Sequence, residues 1–249
     1  FIPKTRYTSR RYHELEKERV WKKVWQFACR EEHIPQAGDT YVYDICGISI
    51  LVVRQTDMQI RAFYNTCLHR GRQLRSESGP ADRELQCSYH GFCWSLDGSI
   101  KRVTSDWDFP HAKAMDMNLP QVRVGTWAGF VFINMDPDCE PLDDFLGDLD
   151  RHFEKWPLEG RYVQAHIEKE LDCNWKLAQE AFSEAFHVVT THPQRVASMG
   201  DENSQYDCWG NFDRGIAPNG IPSPHINWVP TEQEMFNGIV DARMDEPPL

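Results

Sequence analysis

The chain has 249 residues, 41% of them hydrophobic and 12% aromatic, which suits one large or two ordinary packed domains and argues against disorder. A net charge of −11 speaks against nucleic acid as a partner. The longest apolar run, Ile48 to Val53, is strand-sized and far too short to span a membrane.

The start shows no signal-peptide pattern. The chain opens on Phe1 rather than Met, so the natural N-terminus is expected upstream. Thr8 to Arg30 reads as a helix, capped by Thr8 or Ser9. Val20, Val24 and Phe27 lie on one face, and Trp21 and Trp25 widen it. From Gly38 the texture changes to short stretches rich in Val, Ile, Tyr and Phe. Thr40 to Cys46, Ile48 to Arg54 and Gln59 to Tyr64 are predicted strands, broken at Gly47 and Thr56-Asp57. Glu84 to Cys87, Phe92 to Ser95 and Gly129 to Asn134 are three more, and Asp97-Gly98 is a hairpin signal. Many short strands imply an all-β module of small sandwiched sheets. Pro80 lies in a spacer expected to loop out. Leu142 to Phe153 reads as a short helix, and Trp156-Pro157 to Gly160 as a boundary loop. Tyr162 to Leu171 alternates polar and apolar residues, as a strand of a second domain would. The last forty residues, rich in Pro, Gly and Asn, are expected to be loops.

Two motifs inside this frame carry chemistry. Cys67-Leu68-His69 and Cys87-Ser88-Tyr89-His90 are separated by the seventeen residues Arg70 to Gln86. Each half offers one sulfur and one imidazole nitrogen. Such twin knuckles can hold a [2Fe-2S] centre, two thiolates on one iron and two imidazoles on the other. A Cys2His2 zinc site is the competing reading, although zinc sites usually pair Cys with Cys and His with His. The other six cysteines, Cys29, Cys46, Cys93, Cys139, Cys173 and Cys208, show no disulfide framework. Reduced thiols in a cytoplasmic protein are expected.

The second motif lies in Asn174 to Thr190. Trp175, Ala178, Phe182 and Phe186 form an apolar face at helical spacing. Glu184, His187 and His192 follow at offsets of three and five. Three apart is a helical neighbour, but five overshoots one turn. His187 and His192 can converge only where the helix unwinds, and Pro193 helps end it there. Two imidazoles and a carboxylate suit ferrous iron with an open face. A His pair alone is weak evidence for such a site.

Residue context decides more than spacing. Asn65-Thr66-Cys67-Leu68-His69-Arg70-Gly71 and Cys87-Ser88-Tyr89-His90-Gly91-Phe92-Cys93-Trp94 closely resemble the Rieske cluster site of ring-hydroxylating oxygenase α-subunits. Asn174-Trp175-Lys176 through Glu184, His187 and Thr191-His192 is similar to the mononuclear-iron helix of the same family. The resemblance runs from the N-terminal helix to about Pro193.

It implies an α+β chain with an N-terminal helical segment over residues 1–37. An all-β Rieske [2Fe-2S] domain would cover 38–157, and an incomplete helix-grip catalytic domain 158–249. Cys67, His69, Cys87 and His90 would hold the cluster, and His187 and His192 a mononuclear Fe(II). Glu184 would bridge to His90 of the neighbouring subunit. The family usually has Asp there, and Glu resembles the variant of some members acting on quaternary ammonium compounds. The third iron ligand, a carboxylate on a late helix, is not found, because Asp241, Asp245 and Glu246 lie in a Pro-rich end. The C-terminal part of the chain is therefore expected to be missing.

The implied activity is that of a terminal oxygenase component, a mono- or dioxygenase. It would draw electrons from NAD(P)H through a reductase, with or without a ferredoxin. An α3 or α3β3 assembly and a role in aromatic hydrocarbon catabolism go with that reading. An aromatic or other hydrophobic substrate is the first expectation and a quaternary ammonium compound the alternative. A Rieske electron carrier without oxygenase activity would leave His187 and His192 idle.

Overall fold

A computed structural model describes residues 1–80 and 83–236, apart from the side chains at 112 and 113. The chain divides into two compact units, one of residues 9–167, the other of residues 1–8 with 168–249. It begins with two short helices, α1 (Thr5–Thr8) and α2 (Arg10–Glu16), the second capped by the Ser9 hydroxyl, which accepts from the Tyr12 N–H.

The helix expected to run to Arg30 stops early. A single π-type turn at Lys17–Trp21 ends it, and β1 (Gln26–Arg30) follows. The aromatic spacing that suggests a continuing helix serves a sheet edge instead. β1 pairs with a later strand, and Phe27 meets Phe130 and Phe132 edge-on at 5.2 and 6.2 Å. Cross-strand aromatic contacts of this kind stabilise a pairing that local propensity does not announce.

The first unit is built on β2 (Asp39–Ile45), β3 (Ile48–Arg54), β4 (Ile60–Tyr64), β5 (Gly79–Pro80), β6 (Glu84–Gln86), β7 (Cys93–Ser95), β8 (Ile100–Arg102), β9 (Gln121–Trp127) and β10 (Phe130–Asn134). Seven strands form an antiparallel sheet in the order β1-β10-β9-β4-β3-β2-β5, and β6-β7-β8 form a second sheet. The β2–β3 turn places Cys46 and Gly47 at φ 51° and 75°, and the β9–β10 turn places Ala128 and Gly129 at 49° and 80°. Two successive positive φ values belong to the tight turns that match strand twist.

β3 is buried on both faces. Leu51 and Val53 point into a core with Phe63, Leu74, Leu85, Phe92, Trp94 and Leu119. Ile50 and Val52 point into another with Ala62, Val122, Val131, Ile133 and Ile34. A strand with no wet face reads as a continuous apolar run, which is what Ile50 to Val53 is. Fully burying each such side chain is worth roughly 1.5–3 kcal/mol.

Pro80 does not loop out. Gly79 and Pro80 pair with Thr40 and Asp39, and the Thr40 hydroxyl donates to the Gly79 carbonyl at 2.6 Å. The expected helix over 142–153 is two pieces, α3 (Leu142–Leu146) and α4 (Leu149–Phe153), separated at Gly147, which takes φ 53°. Residues 162–171 form no strand, because no described strand pairs with them, and Ile167 is exposed.

The second unit holds α5 (Trp175–Glu180), α6 (Val188–Thr191), the hairpin β11 (Gln205–Trp209) to β12 (Phe212–Ile216), and α7 (Glu232–Phe236). β12 and α7 lie where loops are expected. α1 belongs here: the Tyr7 hydroxyl donates to Glu180 at 2.7 Å, and Asn174, the α5 N-cap, donates to the Tyr7 carbonyl at 3.1 Å.

Candidate metal centres

The two Cys-His segments form loops of one design. Cys67 N–H donates to the Arg72 carbonyl at 2.7 Å, and Gly71 N–H returns to the Cys67 carbonyl at 2.9 Å. Cys87 and Phe92 make the first bond again at 2.8 Å, and Gly91 and Cys87 the second at 3.0 Å. Each glycine stands four residues after its cysteine, at φ 75° and 72°, a left-handed conformation that costs glycine little. A serine on the second loop links the two, accepting from Arg72 Nε at 3.1 Å through the Ser88 hydroxyl.

Burial separates the donor types. Cys67 and Cys87 are buried at the end of the core formed by Leu51, Phe63 and Trp94. His69 is exposed and His90 half-buried. Their rings stand 4.5 Å apart, edge to face, and His69 stacks on Phe92 at 4.9 Å. Burial pushes the Cys67 thiol pKa up, with Cys87 beside it adding to the rise. Burial also lowers the His90 pKa, helped by the charges of His69 and Arg70. A neutral imidazole is the ligand form. An apolar cavity of about 750 Å³ opens beside the imidazoles, lined by Leu68, Tyr89, Phe92, Phe109, Met115 and Met117 among others.

Asn65 is a positioning residue that the motif does not show. It is fully buried. Its amide donates to the Ser49 hydroxyl at 3.0 Å and the Arg75 carbonyl at 2.7 Å, and its oxygen accepts from the N–H groups of Leu74 and Arg75 at 3.1 Å. One side chain thus closes the first cluster loop onto β3. The only hint in the sequence is a polar residue two before a ligand cysteine.

In the second unit the helix is interrupted as the offset of five requires. α5 ends at Glu180, and the one-turn α6 has His187 and His192 at its two ends. The rings stand 5.3 Å apart, edge to face. Glu184 folds back on the same turn. Its Oε2 accepts from the backbone N–H groups of Phe186 at 2.5 Å and His187 at 3.2 Å, and its Oε1 lies 2.5 Å from His187 Nδ1. The hydrogen bond from His187 and then those two backbone donors hold the Glu184 pKa below the usual range. With Nδ1 engaged, Nε2 of His187 is the nitrogen left to bind a metal. The expected stripe Trp175, Ala178, Phe182 and Phe186 is broken at Ala181, and both phenylalanines are exposed.

The donor sets fit the two groups. Two thiols and two imidazoles give each iron of a binuclear cluster two protein ligands. His187 and His192, with rings 5.3 Å apart, would be the residues to hold a mononuclear iron. Asp241, Asp245 and Glu246 lie outside the described residues. Among those described, no helix is long and apolar enough to cross a membrane.

Comparison with known proteins finds matches to both parts of the chain. Residues 24–111 match the Rieske [2Fe-2S] domain, and 148–246 match the ring hydroxylating alpha subunit catalytic domain. The carnitine monooxygenase oxygenase subunit of Escherichia coli K12 is 34% identical over 213 residues, covering 85% of this chain and 57% of its own. Biphenyl 2,3-dioxygenase subunit alpha of Rhodococcus jostii RHA1 is 32% identical, covering 74% of this chain and 42% of its own. The chain thus spans about half the length of these relatives. Among solved structures, a quaternary ammonium Rieske monooxygenase in complex with L-carnitine superposes with a TM-score of 0.79 at 28% identity, over 86% of this chain and 62% of the other. Naphthalene 1,2-dioxygenase from Rhodococcus sp. does so at 0.72 and 26% identity, over 91% and 56%. The two matched domains bring a Rieske [2Fe-2S] cluster and a mononuclear iron as cofactors. Twin Cys-His loops on a β scaffold, and a His pair flanking a one-turn helix, therefore stand in their family setting, and the chain belongs to the Rieske-type ring-hydroxylating oxygenase α-subunits.

Proposed function

We propose that this chain is the terminal oxygenase component of a multicomponent Rieske oxygenase. When bound, the cluster relays single electrons, and the iron activates dioxygen for insertion into an organic substrate. Cys67, Cys87, His69 and His90 are the cluster ligands, and His187 and His192 the iron ligands. Glu184 orients His187 through Nδ1 and is the carboxylate that meets His90 of a neighbouring subunit. A reductase, with or without a ferredoxin, supplies electrons from NAD(P)H. The assembly is a head-to-tail homotrimer, with or without β-subunits, in the cytoplasm.

The observation that carries the reading is the contact of Glu184 Oε1 with His187 Nδ1 at 2.5 Å, beside a second histidine, in a chain that also holds the twin loops. Glu in place of the family's usual Asp favours a quaternary ammonium substrate, as does the similarity to the carnitine monooxygenase subunit. That reverses the order of the two classes expected from sequence. An aromatic substrate is the second reading, supported by the 32% identity to biphenyl 2,3-dioxygenase subunit alpha.

Iron and acid-labile sulfide counts on the full-length protein test the cofactor set, with about three irons and two sulfides per chain expected. Product analysis with a surrogate reductase, NADH, L-carnitine, choline and biphenyl tests the substrate. Oxidation of the ammonium compounds alone supports the first class. Oxidation of biphenyl alone moves the assignment to the second, and only two irons per chain would overturn the oxygenase reading. Glu184→Gln is expected to keep both metals yet slow single-turnover cluster oxidation by about 100-fold, since a neutral amide makes weaker hydrogen bonds. A wild-type rate in that variant removes the bridge.

A further inference from the structure

We propose that Asp201 and Ser204 receive the guanidinium of Arg70 from a second copy of this chain, forming an intermolecular ion pair beside the contact of Glu184 with that copy's His90. The inference rests on that proposed contact and adds the pair that positions it.

The second unit has a cavity of about 450 Å³ whose wall includes Glu184, Asp201, Glu202, Ser204 and Tyr206. Asp201 is only 8% exposed, yet its Oδ1 has no hydrogen-bond partner, and neither has the buried Ser204 hydroxyl. A buried carboxylate oxygen left without a donor is strongly unfavourable. The cavity therefore calls for a cation that brings N–H groups. A quaternary ammonium head has none. No group of three His, Cys, Asp or Glu among the described residues is placed to hold a metal ion. A guanidinium offers a planar fork of donors for two acceptors at once and stacks on an aromatic ring such as that of Tyr206. Arg214 of the same unit is engaged with Asp207 at 2.8 Å.

The cluster loops present such a group. Arg70 follows His69, is exposed, and has no side-chain hydrogen bond or ion pair among the described residues. Arg72 is held by Ser88. A copy that brings His90 to Glu184 brings Arg70 to the wall of the cavity that Glu184 lines. The acidic cavity and the basic loop are complementary in charge.

The test is a charge swap in the full-length holoprotein, with the visible spectrum of the cluster reporting that each variant is folded. Arg70→Glu and Asp201→Asn are each expected to weaken self-association at least tenfold in sedimentation equilibrium. Arg70→Glu combined with Asp201→Arg is expected to restore it to within threefold of wild type. Wild-type association of Arg70→Glu overturns the proposal, as does a folded double variant weaker than Arg70→Glu alone. Saturable tetramethylammonium binding that Asp201→Asn abolishes, with association unchanged, assigns the cavity to a small organic cation and also overturns it. Failure of the Glu184 bridge reads differently: Glu184→Gln then reoxidises its cluster at the wild-type rate, whatever the swap does to association.

Discussion

The cluster unit fixes its candidate ligands from below, and the catalytic unit fixes them from the side. Cys67 and Cys87 sit at the end of a core with Phe63, Leu85 and Trp94, on loops closed by reciprocal backbone bonds. His187 and His192 sit at the ends of a four-residue helix whose flanking phenylalanines, Phe182 and Phe186, are exposed. In the first case reciprocal backbone bonds and a buried core hold the loops. In the second, a carboxylate that bends back onto its own turn does most of the local work. Loops gripped by two sheets hold a geometry that chemistry does not change, whereas a short helix with exposed neighbours relies on further contacts for its rigidity.

The contrast predicts that single changes in the first unit act through stability. The largest effect is expected at Gly98, in the turn joining β7 to β8. It stands at φ 83°, its carbonyl accepts from Leu119 N–H at 2.8 Å, and an added Cβ would run into the Phe63 ring. Left-handed strain and overpacking together put Gly98→Ala at roughly 3–5 kcal/mol. Urea unfolding followed by the visible absorbance of the cluster reads it. A loss below about 1 kcal/mol would show that the core under the loops is looser than described.

A smaller but still large loss is expected at Asn65. Asn65→Ala abandons two backbone N–H groups and a backbone carbonyl in a buried position, which points to about 2–4 kcal/mol. The same unfolding assay measures it, and cluster loss is expected to accompany it. A cluster bound at wild-type occupancy with unchanged stability would mean that the first loop does not depend on this side chain.

Much of the first unit is legible in its residues because the local and tertiary signals agree. β2, β3 and β4 fall within a residue or so of the expected strands, since β-branched runs, tight-turn glycines and sheet pairing all point one way. β1 is not legible, because Val20, Val24 and Phe27 keep helical spacing and only β10 turns Gln26–Arg30 into a strand. β9 alternates only over Gln121 to Val124, and Gly125 then interrupts the pattern. Residues 162–171 alternate only in part, broken by Tyr162 and Lys169, and form no strand, because alternation describes a face and not a partner. For the site, spacing reveals the donors but not what holds them. Asn65, Arg72 with Ser88, and the Glu184 turn are set by hydrogen bonds across the fold.

The smallest effect sharpens the comparison through cysteine chemistry. Burial pushes the Cys29 thiol up to about 12, and burial followed by the Glu84 carboxylate pushes Cys93 up to about 11. A thiol reacts as its thiolate, so at pH 8 only about 1 in 10⁴ of Cys29 and 1 in 10³ of Cys93 is in the reactive form. Cys173 and Cys208, in the second unit, are exposed. In the native holoprotein, iodoacetamide followed by mass spectrometry is therefore expected to label Cys173 and Cys208 at least tenfold faster than Cys29 or Cys93. Raising the pH to 9 should leave Cys29 and Cys93 largely unlabelled, because their folded pKa values still lie two units or more above it. Equal labelling of the four would mean that the β unit opens as readily as the segment around the iron helix, and the contrast between a scaffold set in advance and one completed by its contacts would fall.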